Sequence, residues 1–223
     1  MFVLRSVRIK YIKDESVKYV SHLDTLKTFT RAARRAQLPL VYSNGYNPHP
    51  HFVFGLPASV GMVSICEYAD IDFEDGIENN QIMDKLNTNL PEGFRVTECF
   101  EKLSSSNIMA ELTAAEYVIY PETEYGVPEL QDFISHFIGC DEIIVSKKNK
   151  KGERDINIKS MIKFISTGED NTGKYLIAKL SAGNETNLKP ELLIEAINKY
   201  EGTDLSIRQI IRTEMFLKGE SVI

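Results

Sequence analysis

The chain has 223 residues, of which 43% are apolar and 26% charged, with three cysteines and a formal net charge of −6. That length suits one large domain or two small ones with real cores. No apolar run reaches the roughly 18 residues of a membrane span, which excludes a helical membrane protein; MFVLRSVRIK carries no signal-peptide core and cleavage site, so the expected location is cytoplasmic.

Phe2–Ile12 alternates apolar and basic residues and predicts a strand with one wet face and a slip near Ser6. Ser21 is a good N-cap, with Asp24 closing a short capping box, and the helix is expected to run from His22 to Gln37, where Pro39 stops it. Leu23, Leu26, Phe29, Ala33 and Ala36 fall on one side of it, and Lys27, Arg31, Arg34 and Arg35 on another. Leu38–Ser43 reads as a short second strand, followed by the loop Asn44-Gly45-Tyr46-Asn47-Pro48-His49-Pro50-His51. Asn-Gly forms turns because both residues tolerate positive φ, and the prolines hold the backbone extended, so His49 and His51 are expected on one side. Glu67–Phe73 alternates as a strand with Ala69, Ile71 and Phe73 facing a core. A helix over Ile77–Leu90 and a strand over Phe94–Leu103 complete a β-α-β-β-α-β order.

Ser104–Asn107 is a polar break. Beyond it the order repeats: a strand at Ala115–Tyr120, a helix at Pro128–Ile138 with proline at its start, a strand at Asp141–Lys147 and a basic hairpin tip at Lys147–Gly152. Ile156–Ile165 continues that pairing. Then come a strand at Tyr175–Leu180, a Gly/Asn loop, a helix from Pro190 to Tyr200 and a last strand within Leu205–Phe216. The predicted fold is α+β, two tandem ferredoxin-like (β-α-β-β-α-β) domains with antiparallel sheets, at residues 1–104 and 112–223, the second carrying the basic hairpin.

Charge is unevenly distributed. Residues 1–54 hold nine Lys and Arg against three Asp and Glu, while residues 55–140 hold three against sixteen. A local field of this kind steers an anionic partner despite the overall sign. Lys27, Arg31, Arg34 and Arg35 have only Asp24 nearby in the helix to offset them and are expected to face phosphates. Tyr46 and Asn47 are placed to touch an unpaired base, and His49 and His51 to donate to phosphate. His22 and His49 are the candidates for a general acid and base. In the second half, Asn184 and Lys189, just before the Pro190 helix, form a second candidate anion site. His136, between Phe133 and Phe137, is read as structural. Cys66, Cys99 and Cys140 form no CxxC pair and are read as small apolar residues. No metal or cofactor is expected.

The run SHLD…RAARRAQLPLVYSNGYNPHP resembles the signature of an uncharacterised bacterial family described as radical-SAM-associated, whose members occur alone, beside a radical SAM protein or fused behind one. The likeness continues through GLP, GERDINIKSMI, LKPELLIEAI and IIRTEMF. Lys27, Tyr46 and His51 depart from the family pattern, which has Arg, Phe and Lys at those positions. A lysine in place of His51 serves phosphate binding but not proton transfer at neutral pH. The resemblance implies an accessory role beside a separately encoded radical SAM protein. The chain itself lacks the CxxxCxxC that holds that enzyme's cluster. Two ferredoxin-like halves with a basic helix also look like the CRISPR RNA-processing endonucleases, a likeness of fold alone. Three functions are therefore expected in order: a module holding structured RNA (tRNA or rRNA) for a radical SAM partner, a metal-independent ribonuclease using His22 and His49, or a protein-interaction adaptor docking through the acidic middle.

Overall fold

A computed structural model of the chain describes residues 4–74, 76–103, 105–149 and 152–218. The fold is mixed α+β, and the chain divides into two compact units, Met1–Leu112 and Thr113–Ile223. Among the described residues no helix is long and apolar enough to cross a membrane.

The first unit runs β1 (Leu4–Lys13), a 3-10 turn (Glu15–Val17), α1 (His22–Arg35), β2 (Phe52–Phe54), β3 (Val63–Glu74), α2 (Asn79–Asn89), β4 (Phe94–Glu101) and α3 (Ile108–Glu111). Its strands lie in the order β4-β1-β3-β2, each antiparallel to its neighbour. Register places Val7 opposite Ile71 and Ile9 opposite Ala69, all fully buried, so one face of the sheet is apolar throughout. The slip expected near Ser6 falls instead between Lys10 and Lys13, where both ladders of β1 shift register. α1 and α2 cover the apolar face. Phe29 on α1 is the hub, with ring centroids 4.6 Å from Tyr11, 5.7 Å from Phe54 and 5.8 Å from Phe94. Gly93, at φ 94°, lets the chain entering β4 pass against the 3-10 turn: a Cβ there would sit 2.6 Å from Val17, closer than any side chain tolerates.

Leu38–Ser43 is not the second strand. It makes only isolated bridges, Leu40 to Phe73 and Tyr42 to Pro50, because Pro39 and Pro50 lack the N–H groups that would extend a ladder. The strand that pairs with β3 besides β1 in this unit is the three-residue β2.

On the other face of the sheet lies a buried ion cluster. Arg8 donates through Nε to Asp70 Oδ1 (2.6 Å), through Nη2 to Oδ2 (3.1 Å) and through Nη1 to Glu111 (2.7 Å). Asp70 Oδ2 also accepts from the Ile108 N–H at 2.9 Å, and the Lys102 ammonium lies 3.7 Å away. Burial alone would lower the Arg8 pKa, but the hydrogen bonds and charges of Asp70 and Glu111 outweigh it and the net shift is upward. Residues 105–111, expected from the sequence to lie between the two domains, are thus tied through Ile108 and Glu111 to β3 and β1, with Ile108 fully buried.

The second unit runs β5 (Leu112–Glu122), α4 (Val127–Gly139), β6 (Ile144–Asn149), β7 (Gly152–Asn157), a 3-10 turn (Lys159–Met161), β8 (Ile162–Asp170), β9 (Gly173–Ser181), α5 (Pro190–Glu201) and β10 (Ser206–Leu217). Its main strands lie in the order β10-β5-β9-β8, and β6 and β7 form a separate two-stranded hairpin. The segment Ile156–Ile165, expected as one strand, is two. Asn157 Oδ1 accepts from the backbone N–H of both Ile143 (3.2 Å) and Lys159 (3.0 Å), a side chain in place of a ladder partner that turns the chain out of β7. At the basic tip, Lys150 and Lys151 and the side chains of Lys147 and Lys148 lie outside the described residues.

Replacing Arg8 with Met would remove the guanidinium shared by the buried Asp70 and the part-buried Glu111. A loss of about 3–5 kcal/mol is expected, measured by urea unfolding of the full chain.

Candidate nucleic-acid interface

α1 begins as its sequence dictates. Ser21 is the N-cap: its Oγ accepts from the Asp24 N–H at 3.2 Å and donates to the Asp24 carboxylate at 2.8 Å. That hydrogen bond, then Lys27 and the charge of Arg31, hold the Asp24 carboxyl below its ordinary 3.8. The helix ends two residues earlier than expected. Gln37 takes a left-handed φ of 52°, its N–H donating to Arg34 O (3.0 Å) and that of Leu38 to Ala33 O (3.1 Å). These two bonds make a Schellman motif with glutamine where glycine is usual.

Thr25, Phe29, Ala32 and Ala33 form the buried face. Leu23, expected among them, is 64% exposed; at about 100° per residue it lies roughly 120° around the helix from Phe29. Lys27, Arg31, Arg34 and Arg35 lie opposite Phe29, and all four are exposed. Lys27 pairs with Asp24 at 3.2 Å. Arg35 donates to the Asn89 carbonyl. The Arg34 guanidinium lies over the Tyr42 ring, 5.6 Å from its centroid. Arg31 touches no carboxylate within ion-pair distance among the described residues.

The Arg34–Tyr42 contact joins the helix to the loop. Tyr42 bridges to Pro50, the Ser43 N–H donates to His49 O (2.9 Å), and the His49 N–H donates to Ser43 Oγ (3.1 Å). These bonds pin the base of the loop. At its tip Tyr46 and Asn47 are exposed, Tyr46 fully. Of the Asn44-Gly45 pair only Gly45 adopts positive φ, 130°. The two histidines have different partners: His49 Nδ1 stays within the loop, 3.1 Å from Ser43 Oγ and 3.2 Å from Asn47 O, while His51 Nδ1 sits 3.2 Å from Asp72 on β3. His51 therefore faces a carboxylate, which weakens its case as a free cation for phosphate.

His22 and His49 have different surroundings. The His22 ring packs edge-on against Phe54 at 5.6 Å, while His49 is bonded to Ser43 and Asn47 within its own loop. An acid and a base acting on one phosphate each need hydrogen-bond reach of it.

Asn184 and Lys189 are both exposed, in the second unit. Lys189 caps α5 by backbone alone, and Glu191 already occupies its first turn with one carboxylate oxygen buried and unbonded. A negative side chain at that helix start opposes an anion there. His136 is not a core residue: it is exposed, with Nδ1 2.9 Å from Glu201 on α5. Cys66 is buried, while Cys99 and Cys140 are half-buried; burial pushes the Cys99 thiol up to about 11, against a smaller opposing effect of Arg5, so it stays protonated at neutral pH. Among the described residues no three His, Cys, Asp or Glu converge as metal ligands.

Nothing in the sequence pattern signals that Tyr42 carries Arg34 or that Asp72 meets His51. Each contact joins residues from different elements, outside any helical or strand period.

A family of uncharacterized proteins conserved in bacteria (DUF2344) matches residues 6–190. No curated protein matches the sequence. Among solved structures, a Cbf5-Nop10-Gar1 complex aligns at 14% identity and a TM-score of 0.46, over 96% of this chain, which spans 59% of that one. A protein of unknown function from Galdieria sulphuraria aligns at 14% identity and a TM-score of 0.26 over 92% of this chain and 98% of its own. A glycine cleavage system transcriptional repressor, described as putative, aligns at 8% identity and 0.25 over 94% and 99%.

Two outcomes are expected of α1. Gln37→Gly should stabilise the chain by about 0.5–1 kcal/mol in thermal unfolding, the relief of a left-handed non-glycine residue less the added freedom of the unfolded glycine. In an NMR titration the Asp24 carboxyl should titrate below 3.8 and move back towards it in Ser21→Ala. Since the folded value is the lower one, this contribution is full above the unfolded value and fades as pH falls through the folded one.

Proposed function

The chain belongs to this bacterial family, and on that premise we propose that its first unit is an RNA-binding module acting beside a separately encoded radical SAM enzyme that modifies or processes tRNA or rRNA. One observation carries the reading: the exposed basic face of α1 adjoins, through Arg34 on Tyr42, a loop with a fully exposed tyrosine at its tip. Cations beside an aromatic are the elements that bind a phosphate backbone and stack an unpaired base. Of the four cations only Lys27 is in an ion pair among the described residues, so most of that charge is open to a ligand. The radical SAM partner rests on the likeness of the SHLD and NGYNPHP motifs. The strand orders of the two units support reading both as ferredoxin-like.

Fluorescence anisotropy with labelled tRNA and a labelled single-stranded oligonucleotide, across a salt series, tests this. Arg31→Glu with Arg34→Glu should weaken binding at least about tenfold at roughly 50 mM salt and flatten the log–log salt slope by about two contacts' worth. Tyr46→Ala should weaken single-stranded binding by about 1–3 kcal/mol. No binding at low salt with the partner present, or binding indifferent to the double reversal, defeats the proposal.

A further inference from the structure

The second unit carries a cleft with a different chemistry. It has a volume of about 320 Å³, within the range of small-molecule sites. Its walls are the end of β5 at Glu122, the β8–β9 hairpin at Glu169, Gly173 and Lys174, and the start of β10 at Arg208.

Both cations are positioned by backbone carbonyls. Lys174 Nζ donates to Tyr125 O at 2.6 Å, and Arg208 Nη2 to Thr172 O at 2.7 Å. The Arg208 guanidinium also lies 5.6 Å from the Tyr120 ring centroid. The turn that holds Arg208 is itself fixed: Tyr120 donates its hydroxyl to Asp170 Oδ2 (2.8 Å), and Asp170 Oδ1 accepts from the N–H groups of Thr172 (2.7 Å) and Gly173 (3.2 Å). Gly173 stands at φ 132°, and a Cβ there would come within 3.4 Å of the Arg208 guanidinium. Glu169 is the cross-strand partner of Lys174. Yet among the described residues neither Lys174 nor Arg208 lies within ion-pair distance of a carboxylate. A carbonyl orients an ammonium or guanidinium without neutralising it, and each cation keeps further donors.

The lining thus presents two oriented cations and two carboxylates that form no ion pair with one another among the described residues. A ligand of one sign meets attraction from one pair and repulsion from the other; a molecule bearing both signs meets attraction from each. We propose that this cleft binds a small zwitterion of the free α-amino-acid class, its carboxylate towards Arg208 and Lys174 and its ammonium towards Glu169 and Glu122. The proposal is independent of RNA binding by the first unit.

Thermal-shift screening of the full chain with the twenty common L-amino acids, each at about 10 mM to reveal millimolar affinities, followed by calorimetry on the best, tests it. At least one should raise the Tm. Its N-acetyl and carboxamide derivatives, each missing one charge, should bind at least tenfold more weakly. Arg208→Met and Glu169→Gln, shown by circular dichroism to be folded, should each weaken the amino acid tenfold or more. The proposal is overturned if no amino acid shifts the Tm, if a singly charged derivative binds as well as its parent, or if both folded variants bind like the unaltered chain.

Discussion

The orientation of α1 depends on Phe29. Its ring meets Tyr11 from β1, Phe54 from β2 and the Phe94 ring at the start of β4, so one side chain fixes the helix against three strands. Burying it contributes about 1.5–3 kcal/mol, with further gain from tilted and edge-on ring contacts. The consequence is angular. With Phe29 fixed inward, a spacing of about 100° per residue points Lys27, Arg31, Arg34 and Arg35 outward. Arg34 then reaches Tyr42, and the loop follows. Rotating α1 by one residue would bury a cation, which is why the apolar hub and the basic surface are one constraint.

The opposite face of the same sheet is held by different physics. Arg8 and Asp70 face each other across the β1–β3 ladder and are both nearly inaccessible. A buried ion pair gains little over an apolar one unless its remaining donors and acceptors are matched. Here Asp70 also accepts from Ile108 N–H, and Arg8 also bonds Glu111. Three elements distant in sequence must be in place before that cluster is satisfied. Its effect is on placement: Ile108 and Glu111 are tethered to β3 and β1, and Gly55 makes room for Ile108 and Leu112, whose side-chain atoms would stand 3.1 and 3.4 Å from a Cβ there.

What the sequence disclosed and withheld follows the range of each interaction. Ser21, Pro128, Pro190 and the alternation of Ala69, Ile71 and Phe73 are local signals, and the elements they announce are present. The failures lie where a distant partner decides. Leu38–Ser43 is extended, but the prolines around it withhold ladder donors, so three residues at Phe52–Phe54 take the strand's place. Asn157 breaks a strand through its side chain, which no periodicity reports. Within the candidate site, the exposure of the cations was legible from helical angle, whereas the partners of His49 and His51 were not: Ser43 bonds one and Asp72 the other, and neither contact follows from alternation.

Net charge is a poor guide to what such a surface binds. At physiological salt the Debye length is about 8 Å, so a phosphate approaching α1 responds to the four cations within that distance far more than to the acidic residues 55–140. Internal neutralisation matters more. Lys27 lies against Asp24 and His51 against Asp72, which leaves Arg31, Arg34 and Arg35 as the main sources of field. Guanidinium suits phosphate recognition because it remains charged at any physiological pH and offers several donors in a fixed plane. One of its edges can rest on a tyrosine or a carbonyl, as with Arg34 and Arg35, while the others bind phosphate. The contacts that orient these arginines therefore prepare the surface and do not consume it.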